Sequence, residues 1–450
     1  MKYIVFCIAA AGVPPLAFLL YMNRWWFKYV FWEIVVVMCF YNSTAINFFS
    51  HEEYRGSSRG MEVSLIYLLS FAMLGAFALR KRLRSLVPET GFGLFIIYFL
   101  LCLPSLATAA NGLISWFEIW KMMMLYVFYL MVYSYLEITD DLKTVLQGLA
   151  FFIVFNMFIV LRDQYYSGVY QPHGVFPHQN AMAMAMLLLG PLFFSLYLRD
   201  GIRGGLARFF SFAAMCAVAA TMRSFSRMAI LLTPVAYGAV ALLSVGKGKM
   251  RTWFRRMAPI AVLAAVGLAV LLPRIIDRFV NAPEASGTTR LELARCAFEM
   301  ISDEPWRGVG INNWGIKINY PYDYAERAER ETNRGEDFHD GIVETVYLLV
   351  GAECGIPALL AMVAWFLWYW ASCIRLMKKL RGTRYRAVPV GVFGALTVVY
   401  LQGAFEWVLR QQLNLICLMF VFAAISYLNR AWPRLVVKER AAAEARRVSK

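Results

Sequence analysis

The sequence predicts an all-α, polytopic membrane protein, and three observations carry that prediction. Of its 450 residues, 60% are hydrophobic and only 16% are charged, where soluble domains carry about a quarter charged residues. Mean hydropathy is +0.55. Apolar runs of roughly 20 residues, the length that crosses about 30 Å of hydrocarbon as a helix, recur along the chain.

Taken in order, the runs place spans near 3–21, 29–48, 61–79, 91–110, 118–137, 143–161, 179–198, 208–222, 226–244, 258–272, 345–372, 387–407 and 412–428, which gives 12–13 crossings. The first contains Pro14-Pro15 and is expected to be kinked or re-entrant. It lacks a basic n-region and an A-x-A cleavage site, so it reads as a retained span. No repeat of fixed period is visible, and the chain reads as one membrane domain over 1–450 with a basic tail at 429–450.

Basic charge orients the spans. Arg80-Lys81-Arg82-Arg84, Arg199 to Arg208, Lys247 to Arg256, Lys378 to Arg386 and the tail after Asn429 fall on alternate sides of successive runs. One side therefore collects them all, and that side is the cytoplasm. The net charge of +16 is membrane anchoring. Nucleic-acid binding, the rival use of such charge, is not expected, because the basic residues are divided among short loops.

The loops at 49–60, 111–117, 162–178, 222–226, 273–344 and 408–411 then face outward, and all four histidines (His51, His173, His178, His339) lie on or beside that side. Six of the eight cysteines fall in expected spans, Cys373 lies one residue past the span 345–372, and only Cys296 lies in an outer loop, so no disulfide framework is legible.

The loop from Pro273 onward stands apart. Between Pro273 and Asp340 it carries 13 Asp/Glu against 9 Lys/Arg, in a chain that is otherwise basic. A polar loop of that length is rarely a plain connector. Thr289-Arg290-Leu291-Glu292 has the form of a capping box opening a helix, with Leu291, Ala294, Phe298 and Ile301 as its apolar stripe and Pro305 closing it. Arg290 would then sit in the first turn, where the dipole favours anions over cations. That position suits an arginine that meets a docked phosphate; the plainer reading is a salt-bridged surface arginine. Gly308-Val309-Gly310 allows a tight backbone turn.

Three further groups sit on the expected outer side. Arg223 and Arg227 flank a short turn against the positive-inside bias, either snorkelling to headgroups or binding an anion at membrane depth. Gly174 to Asn180 leads into a span, and His178 and Asn180 can hydrogen-bond a sugar or cap the following helix. Glu336-Asp337-Phe338-His339-Asp340 is the densest set of polar ligands. It could hold a divalent metal, pair with arginines, or offer His339 as a general base toward a sugar hydroxyl.

Four blocks together resemble the O-antigen ligase and polymerase superfamily of bacterial membrane glycosyltransferases. They are Gly174 to Asn180; Ser226-Arg227-Met228-Ala229; Arg290 through Pro305 with Gly308-Val309-Gly310; and His339 through Glu353 with Gly355-Ile356-Pro357. They cover about 170–365; the first 150 residues match in hydropathy alone. The resemblance implies a GT-C-like helical fold in the bacterial inner membrane. It implies transfer of a glycan from a polyprenyl-pyrophosphate carrier to an acceptor hydroxyl, a glycan or lipid-linked acceptor, on the periplasmic face, with no nucleotide sugar, metal or other cofactor. Such enzymes polymerise or ligate O-antigen, in lipopolysaccharide, or exopolysaccharide. Carried onto this sequence, Arg227 and Arg290 would bind the pyrophosphate and His339 would orient or deprotonate the acceptor hydroxyl, with Arg223, His178, Asn180 and Asp340 as substrate contacts. The loop is expected to fold back over Arg227. Asp340 stands where the family usually has Asn, and Ala358 where it usually has Gly. The alternative is a transporter or flippase of lipid-linked sugars. Transporters usually show paired repeats and mid-membrane polar breaks, whereas here polar residues concentrate in one loop.

Overall fold

The computed structural model describes residues 2–448 except 52–53, 84, 199–203, 246–250, 252, 259–261, 263–268, 270–271, 274–275, 277–284, 323 and 329–340. Among the described residues, ten helices are long and apolar enough to cross a membrane, and the only sheet is one two-stranded ribbon. The chain is an all-α polytopic membrane protein. It divides into two compact units, the first Met1–Asp141, Pro283–Trp368 and Gly403–Ala423, the second Leu142–Ala282, Tyr369–Gln402 and Ala424–Lys450.

In the first unit the opening run is two helices, Lys2–Ala11 and Val13–Met22, parted at Gly12. The expected kink is there, and Pro14 and Pro15 open the second helix, where a missing N–H costs nothing. That helix packs on Leu65–Leu79, where Ala17 meets Gly75. The run expected at 29–48 is shorter than a span: helix Trp26–Cys39 stops before Asn42-Ser43-Thr44, and Thr44 Oγ1 bonds back to the Phe40 carbonyl. The chain then forms a strand, Ala45–Phe48, paired antiparallel with Met61–Ser64 in the register Ala45↔Ser64. Helix Gly112–Thr139 begins earlier than expected because Asn111 caps it, its side chain accepting from the Leu113 and Ile114 N–H groups. The loop expected at 111–117 is therefore mostly helix. Helix Val346–Lys379, which lies in this unit up to Trp368, is broken at Gly355.

The second unit is built on helices Leu142–Tyr165, Gln179–Leu198, Gly205–Arg223, Arg227–Ser244 and Ala387–Gly403, the last lying in it up to Gln402. Gln179–Leu198 is buried along nearly its whole length. Gly190 lets Ala217 and Tyr237 close on it, and Gly391 rests against Leu192. Small residues at such crossings bring helix backbones together where lipid supplies no hydrophobic drive. The run expected at 258–272 lies largely outside the described residues.

Candidate active site

The described part of the large loop is a folded layer of the first unit. Its main helix, Ala285–Asp303, is already running at Ala285, so Thr289 lies inside it and Arg290 is past the first turn. The helix also presents a different face from the one the sequence suggested. Leu293, Cys296, Ala297 and Met300 are buried, while Leu291 and Phe298 are exposed. The buried face joins Val309, Trp314, Ile318, Ala325, Val343 and Leu349 in one core. Both faces carry apolar residues at helical spacing, and only the packing selects between them.

The Gly308-Val309-Gly310 turn has a specific job. Pro357 has no N–H to give the Glu353 carbonyl four residues earlier, and the Gly355 break (φ 82°) turns Ile356 away from Ala352. The turn repairs both defects. Val309 N donates to Ala352 O (2.8 Å), Gly310 N to Glu353 O (3.1 Å), and Ile356 N to Pro305 O (2.8 Å). Gly308 (φ 72°) makes this approach possible, since a Cβ there would lie 2.4 Å from the Glu353 backbone. Neither motif explains itself alone; together they exchange hydrogen bonds.

Beneath the turn lies a buried ionic quartet that the sequence reading missed. Arg410 Nη1 donates to Glu353 Oε2 at 2.6 Å, and Arg410 Nη2 stands 3.1 Å from Glu118 Oε1. Lys121 Nζ is 2.6 Å from Glu118 Oε2 and donates to the Arg410 carbonyl at 3.0 Å. Ser57 and Ser58 hydroxyls donate to Glu118 (2.9 and 2.6 Å). Asn312 donates to the Ser58 and Ile114 carbonyls (2.8 and 2.9 Å), and the Tyr54 hydroxyl donates to the Asn312 carbonyl. Two acids and two bases cancel, and the remaining polar valences are filled, the condition under which buried ion pairs persist. Glu118 and Lys121, charges at i and i+3 in an apolar helix, were the available signal.

Arg290 is the contrasting case in the same unit. Its Nη2 donates to Glu344 Oε2 at 3.0 Å and lies 3.7 Å from Glu406 Oε1, with the side chain 34% exposed. The salt-bridged reading is thus realised, yet the guanidinium remains open to solvent.

Arg223, Arg227, His178 and Asn180 all lie in the second unit. Arg223 ends one helix and Arg227 begins the next, parted by Ser224-Phe225-Ser226, so their spacing of four does not put them on one helix face. Arg223 donates to Gln164 Oε1 (2.7 Å) and the Tyr165 hydroxyl (2.9 Å), its guanidinium 5.4 Å from the Tyr165 ring centre. The Gly174 turn is set by Asn156, whose Oδ1 accepts from Val175 N at 3.0 Å. His178, rather than Asn180, caps Gln179–Leu198: its Nδ1 accepts from Asn180 N at 3.2 Å. Burial, then the neighbouring His173, hold the His178 pKa below its usual value and keep that nitrogen an acceptor. His339, Asp340 and Asp337 lie outside the described residues.

Spanning helices, a folded loop packed across a broken helix, and a partly exposed arginine within that layer are the features of this multi-pass membrane protein. Residues 212–363, about a third of the chain, match the family described as O-antigen ligase, and this match supports the resemblance to the O-antigen ligase and polymerase superfamily. The match takes in Arg223, Arg227, Arg290, the glycine turn and the broken helix. No curated protein matches the chain. The match supports a membrane enzyme of surface-polysaccharide assembly, glycosyltransferase-like, in a family whose substrates are lipid-linked glycans.

Proposed function

We propose that the protein transfers a glycan from a polyprenyl-pyrophosphate carrier to an acceptor hydroxyl on the periplasmic face of the inner membrane, and that it elongates polysaccharide rather than ligating it to lipid A-core. The observation that supports the transfer from a pyrophosphate carrier is Arg290, whose side chain is one-third exposed and braced by Glu344 and Glu406 within the family-matched stretch; the choice of elongation over ligation rests on the experiment below. In the reaction the acceptor oxygen attacks the anomeric carbon as the bond to pyrophosphate breaks. The leaving pyrophosphate gathers negative charge, which a guanidinium already fixed in place stabilises without reorganisation. Arg290 supplies that charge and Arg227 a second one, His339 takes the acceptor proton, and Arg223, His178, Asn180 and Asp340 contact substrate. Glu344 gives up its bond to Arg290 as the pyrophosphate arrives.

Purified protein in detergent, given polyprenyl-pyrophosphate glycan with and without lipid A-core, tests this directly. Chain growth without added acceptor is expected, together with loss of product in Arg290→Ala and His339→Ala. Transfer only to lipid A-core reassigns the enzyme as a ligase. Full activity in both variants removes the site.

A further inference from the structure

The segment joining Leu142–Tyr165 to Gln179–Leu198 carries a feature that the pyrophosphate site does not use. Every residue from Tyr165 to Tyr170 is exposed, and three of the six are tyrosines: Tyr165 at 70%, Tyr166 at 89% and Tyr170 at 56%. Large rings left in the open are the informative departure from ordinary burial. Two of these rings are also held in place. Tyr165 accepts a hydrogen bond from Arg223 and lies beneath its guanidinium. Tyr170 stacks on Phe225 at 5.3 Å between centroids and 8° between planes. Phe225 itself is buried and holds a left-handed backbone (φ 51°) that a bulky residue seldom adopts. The surrounding side chains are hydrogen-bonding groups: Arg162 paired with Asp163 at 2.6 Å, Gln164, Gln171 bonded to Gln179 at 3.3 Å, and an exposed His173.

We propose that Tyr165, Tyr166 and Tyr170 form a saccharide-binding platform for the glycan moiety of the substrate, away from its pyrophosphate. A pyranose offers an apolar C–H face ringed by hydroxyls. A fixed tyrosine ring accepts the first at small entropic cost, having two side-chain torsions to lose, and Asp163, Gln171 and His173 suit the second. Interfacial anchoring in the bilayer, the other common use of exposed tyrosine, fits less well, because charged and amide side chains flank the rings on both sides, Arg162, Asp163 and Gln164 before them and Gln171 after. The platform rests on the reading that the substrate carries a glycan, and its test is therefore a binding measurement that needs no turnover.

The probe is the oligosaccharide released by mild acid from the surface polysaccharide of the cell that makes the protein. Its binding to the full chain in nanodiscs is followed by saturation-transfer NMR. Tyr166→Ala/Tyr170→Ala is expected to weaken it on the order of tenfold or more, while Tyr166→Phe/Tyr170→Phe binds as the parent does, because the ring and not the hydroxyl makes the contact. Unchanged binding in the alanine pair overturns the platform and leaves the transferase reading standing; tyrosine-dependent binding without any transfer supports the platform and removes the transferase reading. A nitroxide at Tyr166→Cys supplies an independent readout. Collision with a water-soluble nickel reagent is expected; protection from nickel with exposure to oxygen places the ring in lipid and overturns the proposal.

Discussion

Three arginines of the first unit each face two carboxylates, and their surroundings give them different roles. Arg410 meets Glu118 and Glu353 in a buried setting. Arg290 meets Glu344 and Glu406 at its edge. Arg327, on the short helix Tyr324–Arg327, clamps Glu299 and Asp303 of the loop helix at the surface. Counting partners would make the three equivalent. Buried charge cannot be left unpaired, so Arg410 is committed to structure; surface charge is screened, so Arg327 contributes little. Arg290 is as exposed as Arg327, at 34% of the side chain, but one of its two carboxylates, Glu406, is buried, so it alone joins a reachable guanidinium to a partner inside the fold.

The largest expected effect breaks the buried member. Arg410→Met strands Glu353, while Glu118 keeps Lys121, Ser57 and Ser58, and should cost roughly 3–5 kcal/mol, read as a large fall in the thermal midpoint and in detergent-stable yield. Arg290→Ala should lower the transfer rate on the order of 10²–10³-fold with a nearly unchanged midpoint; a collapse in stability instead would place Arg290 with Arg410. Glu344→Gln weakens the competitor for the Arg290 guanidinium, and about a two- to fivefold lower KM for the pyrophosphate donor is expected, the range of a partly exposed pair. A raised KM would show that Glu344 orients Arg290 and does not mask it. The smallest effect belongs to Arg327. Its hydrogen bond holds the Asp303 pKa below the usual 3.8. A depressed carboxylate pKa stabilises the fold above that value and loses the contribution as pH falls through the folded-state pKa. Arg327→Gln should therefore lower the midpoint slightly at pH 7 and converge with the parent in the acid range, as a pH series of melts would show.

Much of the scaffold was legible because a bilayer demands long apolar helices, and composition records that demand. The ribbon Ala45–Phe48/Met61–Ser64 was hidden because its strands abut helix directly, Ala45 after the short helix Tyr41–Thr44 and Ser64 as the cap of Leu65–Leu79. The loop helix was expected in this stretch but begins earlier, at Ala285, and buries a different face. Leu291 and Phe298 repeat at the same helical spacing as Leu293 and Met300, and a stripe does not disclose which side has a partner. The quartet was missed for the opposite reason: its members are far apart in sequence, and Glu118 and Lys121 alone look like an ordinary i,i+3 pair. Arg290 was the residue the motif singled out, although the helix start assigned to it was wrong. Its two carboxylate partners come from segments whose proximity only folding creates.

A glycine and a proline inside a spanning helix ordinarily suggest a joint about which the two halves swing. The break at Gly355 and Pro357 is splinted: each carbonyl or amide orphaned there is taken up by backbone between Pro305 and Gly310. Bending the helix there would strip three backbone hydrogen bonds at once. The loop layer and the upper part of that helix therefore move as one body, and any opening that admits a bulky substrate has to occur elsewhere.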